Sequence, residues 1–378
     1  MNSVPNKTKT ITRFLPAALL FLFATVFLYS FTDYIFFYQE KSSLFQIGFS
    51  FLQQHLDRPG GFLEYLGKLQ IAFYYYPLVG ALIVSAQLLL IVWLISKIGK
   101  KLGAENFLFL PFLMGALLFY LQTNYQYQAI NNLGILVQLL LFWVLLNSKP
   151  KYEWWVVILL PAIYFLFGSF SVLLLGITTV YFLLQKSWVK SALSWISLAI
   201  FFWIGKEFLF FYTTDSLFVF PFSVTTIGGQ VVLFGLVILL LLFVPVFAKV
   251  RIEAIERIKF RQLKLAGLSP YLILVLLAVV AFQNIDEKSK HYFHAEKLFY
   301  EQKYDELIRY NYDQPTNNKL TLFLNNVALA ETGRLADSFF KFRQSDDGST
   351  LFLKWQNINQ FIRLGGYYYY AIGVINEA

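Results

Sequence analysis

No cysteine occurs in the 378 residues, which excludes a disulfide framework and any thiolate metal site. That absence fits a chain whose segments meet an oxidising compartment. Charge is scarce as well: 14% of the residues are charged, against about 25% in a soluble domain. No phosphate-binding loop, dinucleotide fingerprint or Ser-His-Asp spacing is present. Of the three histidines, His291 and His294 stand three apart, as on one helix face, but no third ligand accompanies them, so no metal site is expected. His55 reads as a loop residue. No cofactor class is indicated.

Apolar residues fill the space left. The chain is 58% hydrophobic and 20% aromatic, more than a protein core absorbs, so lipid must solvate much of it. The net charge of +9 is carried by short Lys/Arg clusters between apolar runs. That is a topology signal, and no nucleic-acid partner is expected.

Nine apolar runs follow one another, at residues 14–31, 77–96, 107–122, 133–147, 154–168, 170–185, 192–212, 231–248 and 271–285. The first has a basic start but no small-residue cleavage site, so it reads as a retained span. Several runs are nearer 16 residues than the 20 or so a spanning helix needs. Flanking Tyr120, Trp154, Trp155 and Tyr212 would complete the short ones. With the N-terminus inside, the inner segments hold 16 Lys and Arg residues, and the outer short loops hold Lys41, Arg58 and Lys68. This bias orients the chain. Segment 32–76 is then a large outer loop, and residues 286–378 lie outside. The inner segment 249–264, basic with an apolar side, reads as a helix on the anionic inner leaflet.

The tail, 286–378, changes character. Charge density rises and apolar residues become helically spaced. The step Ala330-x-x-Gly333-x-Leu335 resembles the helix–turn–helix of tetratricopeptide repeats. The chain stops at Asn376-Glu377-Ala378 within a helical pattern, so either the C-terminus is truncated or the last helix is short and frayed.

The outer loop carries Asp33, Glu40, Asp57 and Glu64. Asp33 and Glu40 are seven apart, two turns on one helix face. Multi-pass transferases that use lipid-linked donors place a carboxylate in their first outer loop, as base or metal ligand. Glu40 is the candidate catalyst and Asp33 its companion; the bland reading is ordinary loop polarity. Asp57-Arg58-Pro59-Gly60-Gly61 is a turn, where Arg58 with the glycines could meet a phosphate. Asn124, Tyr125 and Gln126 lie in a charge-free loop whose amides and rings suit a sugar, or an interfacial aromatic belt. Lys206 and Glu207 fall inside the seventh span, where charges mark pathways by default, although Lys206 can snorkel. They sit about 100° apart on a helix, off one stripe.

The stretch Phe36-Phe37-Tyr38-Gln39-Glu40 to Phe45, then Gly60-Gly61-Phe62-Leu63-Glu64-Tyr65-Leu66-Gly67 through Phe73-Tyr74-Tyr75 to Gly80-Ala81, resembles the N-terminal part of an uncharacterised family of Bacteroidota multi-pass membrane proteins with helical-repeat tails. The ending Gly366-Tyr367-Tyr368-Tyr369 to Ile375-Asn376-Glu377-Ala378 is similar to a stretch those proteins continue past. The resemblance implies architecture and location and no activity; kinship to transferases is an analogy of layout.

The expected protein is all-α: about nine spans over residues 1–285, then an external, tetratricopeptide-like repeat tail over 286–378. The expected location is a bacterial inner membrane, N-terminus cytoplasmic and tail periplasmic. Two functions stand open. One is a glycosyltransferase-like enzyme, with the bilayer and a lipid-linked sugar as partners. The other is an anchor presenting the tail to an extracytoplasmic protein. A transporter ranks third, since no inverted repeat is evident.

Overall fold

The computed structural model describes residues 7–104, 108–209, 213–222, 227–249 and 262–353, with scattered residues between 364 and 376. Most of the 249–264 segment and of the last tail unit lie outside the described residues. Among those described, every regular element is helical. The chain divides into two compact units, Met1–Ile285 and Asp286–Ala378.

The first unit is built on α5 (Pro77–Lys101), which packs against α1 (Lys7–Ser30), α6 (Phe109–Gln122) and α7 (Ala129–Asn147). Leu88, Ile91 and Ile95 of α5 are fully buried. Close approach is set by small residues: a Cβ on Gly115 of α6 would stand 2.5 Å from Val92 Cγ2. Phe23, Phe27, Phe31, Phe119 and Phe282 form one ring cluster, with paired centroids 5.0–6.4 Å apart. In lipid such contacts act through packing, because the alternative surroundings are equally apolar.

Segment 32–76 is largely helical, with an irregular stretch at 43–48. It holds α2 (Tyr34–Lys41), α3 (Phe49–Leu56) and α4 (Gly61–Ala72). α2 turns 71° from Leu15–Ser30. After α7 come α8 (Trp154–Phe167), α9 (Ser171–Leu184), α10 (Trp188–Ile204), α11 (Thr214–Val219), α12 (Val231–Leu242), α13 (residues 244–249) and α14 (Gln262–Gln283).

Four stretches are long and apolar enough to cross a membrane: Pro77–Lys101, Ala129–Asn147, Pro150–Leu184 and Trp188–Phe208. Leu15–Ser30 and Leu268–Gln283, each taken with the helix after it, raise the number to six. The expected nine also relied on runs 107–122 and 231–248. In the first, α6 has only 14 residues, about 21 Å, short of the ~30 Å hydrocarbon core. In the second, α12 has 12 residues, and α13 continues it after Phe243, with Phe243 N–H bonded to Leu239 O and Phe247 N–H to Phe243 O. Nor is Pro150–Leu184 one straight rod. Tyr181 donates to Glu153 Oε1 at 3.2 Å across 28 residues, which a continuous helix would hold about 42 Å apart. The chain reverses at Gly168, whose φ is +59°, so α8 and α9 form a hairpin. Lys190 of α10 closes it with a 2.5 Å ion pair to the buried Glu153.

The second unit contains α15 (Glu287–Tyr300), α16 (Tyr304–Asp313), α17 (Lys319–Glu331) and the short α18 (Leu335–Ser338). Asp286 accepts from the Ser289 N–H to cap α15, and Asn318 caps α17 through the Leu320 and Thr321 N–H groups. Leu322, Leu329 and Phe342 form an apolar core with Ile308 and Leu335. Amides seal the helix junctions: the His291 ring nitrogen meets Asn311 Oδ1 at 3.2 Å, and Asn311 donates to Asn325 at 3.1 Å. His291 and His294 also pack against the Tyr310 ring.

Candidate functional site

α2 is held by its apolar face and one amide. Ile35 and Phe36 are fully buried. The Phe36 ring meets Tyr74 edge-on at 4.9 Å, and Gly80 makes room: a Cβ there would lie 2.8 Å from that ring. Gln39, also buried, donates to the carbonyls of Tyr127 at 2.8 Å and Tyr125 at 3.4 Å. Asp33 and Glu40 are left at the two ends of the helix, each half-buried. Asp33 sits at the N-cap without a side-chain cap bond. Among the described residues neither carboxylate has an ion-pair or side-chain hydrogen-bond partner.

The same contacts bring the Asn124–Gln126 loop beside α2. Tyr125 meets Tyr38 edge-on at 4.8 Å. Asn124 accepts from the Gln126 N–H at 2.9 Å, and both amides press on Gly228, where a Cβ would lie 2.7 Å from Gln126 Oε1. Behind the loop runs a buried polar chain: Tyr127 donates to Asn132 at 2.9 Å, and Asn132 to Gln122 at 3.1 Å. Gln39 Oε1 and Gln122 Nε2 are buried without partners.

Arg58 belongs to a different group. It donates to Glu64 at 2.8 Å, and Lys68 pairs with the other carboxylate oxygen at 3.1 Å. Lys68 also lies 3.1 Å from His55 Nε2, and His55 Nδ1 is 2.7 Å from the Phe51 carbonyl. His55 is thus a buried member of α3 and not a loop residue. Burial opposes ionisation of Glu64, but Arg58 and Lys68 outweigh it and hold its carboxyl below the ordinary range. The Arg58 guanidinium lies 3.9 Å from the centre of the Phe220 ring. Beneath it three backbones converge: the Gly60 N–H donates to Phe165 O at 2.8 Å, and Ser169 N–H to Phe220 O at 3.0 Å. A Cβ on Gly168 would stand 2.4 Å from Phe220 O.

Lys206 and Glu207 lie on a π-helical turn, Gly205–Leu209, that ends α10. They approach each other at 3.9 Å with both side chains about half exposed. No ion pair joins Lys206 to Glu40 among the described residues. The structure therefore groups α2 with Asn124–Gln126 and keeps Arg58 and Lys206–Glu207 in separate clusters. The reading from sequence gave Gln39, His55, Glu64 and Lys68 no place in a site. The i,i+4 spacing of Glu64 and Lys68 was a usable signal; nothing local marks Gln39. No group of three or more His, Cys, Asp and Glu suited to a metal occurs among the described residues.

The class defined so far is an all-helical protein whose several apolar helices could span a membrane. Residues 7–378 match the family described as "Family of unknown function (DUF6057)", and the chain belongs to that family. No curated protein matches it, and no solved structure does.

Proposed function

We propose that the chain is a multi-pass membrane enzyme of the transferase type, moving a sugar or similar group from a lipid-linked donor at the outer leaflet of a bacterial inner membrane. The supporting observation is the contrast among the carboxylates of segment 32–76. Glu64 is neutralised by two cations and Asp57 is exposed, while Asp33 and Glu40 are half-buried and, among the described residues, in no ion pair. A partly desolvated charge without a partner is costly, and such groups concentrate at working sites. Glu40 would take the acceptor's proton as general base, with Asp33 as companion. Tyr125 and the amides of Asn124 and Gln126 would face the sugar. Arg58 would meet donor phosphate only by sharing its guanidinium with Glu64.

This reading keeps the N-terminus inside, up to nine crossings, and the tail as a periplasmic, tetratricopeptide-like unit. A second reading, an anchor that presents the tail to an extracytoplasmic protein, draws on a different feature. A polar cleft of about 430 Å³ lies between α15 and α16, lined by Lys297, Glu306, Arg309 and Asp313 among others. Paired helices with such a groove suit protein partners. The two separate in a strain lacking the chain, complemented by Glu40→Gln or by the chain cut after Ile285. Loss of the envelope glycan product with Glu40→Gln at normal membrane abundance supports the transferase. Full function with Glu40→Gln, and loss only with the tail removed, supports the anchor.

A further inference from the structure

A cleft of about 340 Å³ lies between α9 and α12, walled by Phe170, Leu173, Phe222, Phe234 and Ile238. Its shape follows from two glycines. At Gly176 the helices touch, since a Cβ would lie 2.3 Å from Leu242 Cδ2. Towards their N-termini they splay, and a Cβ on Gly235, which lines the cleft, would meet nothing within 4 Å. The walls are fixed: Gly134 receives the Phe170 ring, a Cβ there falling 2.5 Å from Cδ1, and the Phe222 and Phe234 rings stack at 5.2 Å. One side is open, where Val172 and Val231 are 41% and 45% exposed.

Water does not suit this space, because a buried water needs two to four polar partners and Ser169 is the one polar side chain in the lining. An empty void would forfeit the contacts of its walls. At the ~30 Å³ that a water-sized group occupies, the cleft holds on the order of ten such groups, a run of methylenes. A cation stands near the end where Ser169 lies. The Ser169 N–H donates to Phe220 O at 3.0 Å, and the Phe220 ring carries the Arg58 guanidinium. A guanidinium matches the geometry of a phosphate.

We propose that this cleft seats one acyl chain of a bilayer phospholipid, its phosphate turned towards Arg58, beyond the Ser169 end of the cleft. Arg58 would share its guanidinium between that phosphate and Glu64. The inference rests on the membrane placement proposed above and not on the transferase reading. A lipid-linked donor would present the same pairing of chain and phosphate, so the identity of the retained lipid is part of the test.

The full chain, purified from membranes in mild detergent and washed, is expected to keep about one phospholipid per chain by phosphorus assay and mass spectrometry. Because the chain has no cysteine, Gly235→Cys introduces its single thiol. After folding, that thiol can be modified with an octyl thiosulfonate, which fills the cleft without burdening folding. The unmodified variant is expected to retain the phospholipid and the modified one to lose it, at unchanged or raised Tm. Arg58→Gln is expected to weaken retention. A washed protein without phospholipid, full retention after octyl modification, or a polyprenyl phosphate in its place would overturn the proposal. Recovery of the chain from the soluble fraction would overturn the membrane placement itself, and is seen before any lipid is counted.

Discussion

Segment 32–76 treats its carboxylates in two opposite ways. In α3 and α4, Glu64 lies between Arg58 and Lys68, and the group is locked onto the backbone through His55 and onto Phe220 by stacking. At the two ends of α2, Asp33 and Glu40 sit on a helix held by Ile35, Phe36 and Gln39, and neither is in an ion pair among the described residues. The first arrangement spends its charges on structure. The second leaves charge in a fixed place, which chemistry needs. The contrast predicts that variants around Arg58 change stability and that charge-removing variants of Asp33 and Glu40 at the ends of α2 do not.

The largest stability effect is expected beneath the Arg58 group. Gly168 has φ +59° with a carbonyl oxygen 2.4 Å from where a Cβ would stand. Gly168→Ala should cost about 3 kcal/mol or more, read as a lowered Tm in detergent or failure to insert. Gly235→Ala, into open space, should shift the same measurement by under about 1 kcal/mol. A Gly168→Ala protein of ordinary stability would show that the three-backbone junction does not hold segment 32–76.

Next comes Glu64→Gln, which leaves Arg58 and Lys68 facing each other without a counter-charge. Because the three side chains are 19–36% exposed, solvent limits the cost to about 1–2 kcal/mol. The same group sets a pH dependence. The Glu64 carboxyl lies below its reference value of 4.5 in the folded chain, so its contribution is complete above that pH and is lost as pH falls through the lower folded value. A melting series from pH 6 downward should therefore be less steep below 4.5 for Glu64→Gln than for the parent. Identical slopes would break the comparison at its structural half. Lys206→Ala should have the smallest effect on stability, under about 0.5 kcal/mol, since Lys206 ends the Trp188–Phe208 stretch, where its ammonium can reach the headgroups, and its contact with Glu207 is a long 3.9 Å.

How much of this was readable beforehand follows from the range of each interaction. Helical class and apolar stretches come from periodicity and run length, which are local, and the structure has both helices and four to six stretches long and apolar enough to cross a membrane. The Arg58–Gly61 turn was legible because Pro59 fixes φ and Gly60 takes +83°. The number of crossings is not settled by run length, which does not say where a helix is interrupted: α6 is shorter than its apolar run, and Phe243 separates α12 from α13. Gln39 finds its acceptor 88 residues away, and Gly60 meets Phe165 and Gly168 across a similar distance in sequence. Such pairings carry no period. The separation of Arg58 from α2 depends on Phe220, which nothing in the loop announces.

In the proposed transferase, Glu40 is held without an ion-pair partner so that it can act as a base. The most direct measurement is the envelope glycan product in a strain lacking the chain, complemented by Glu40→Gln or by Asp57→Asn at matched membrane abundance. Glu40→Gln keeps size and hydrogen bonding while removing the base, so the account predicts an unchanged Tm and a product rate lower by about 10²-fold or more, with Asp57→Asn near the parent. A Glu40→Gln chain that restores the product at the parental rate would contradict it.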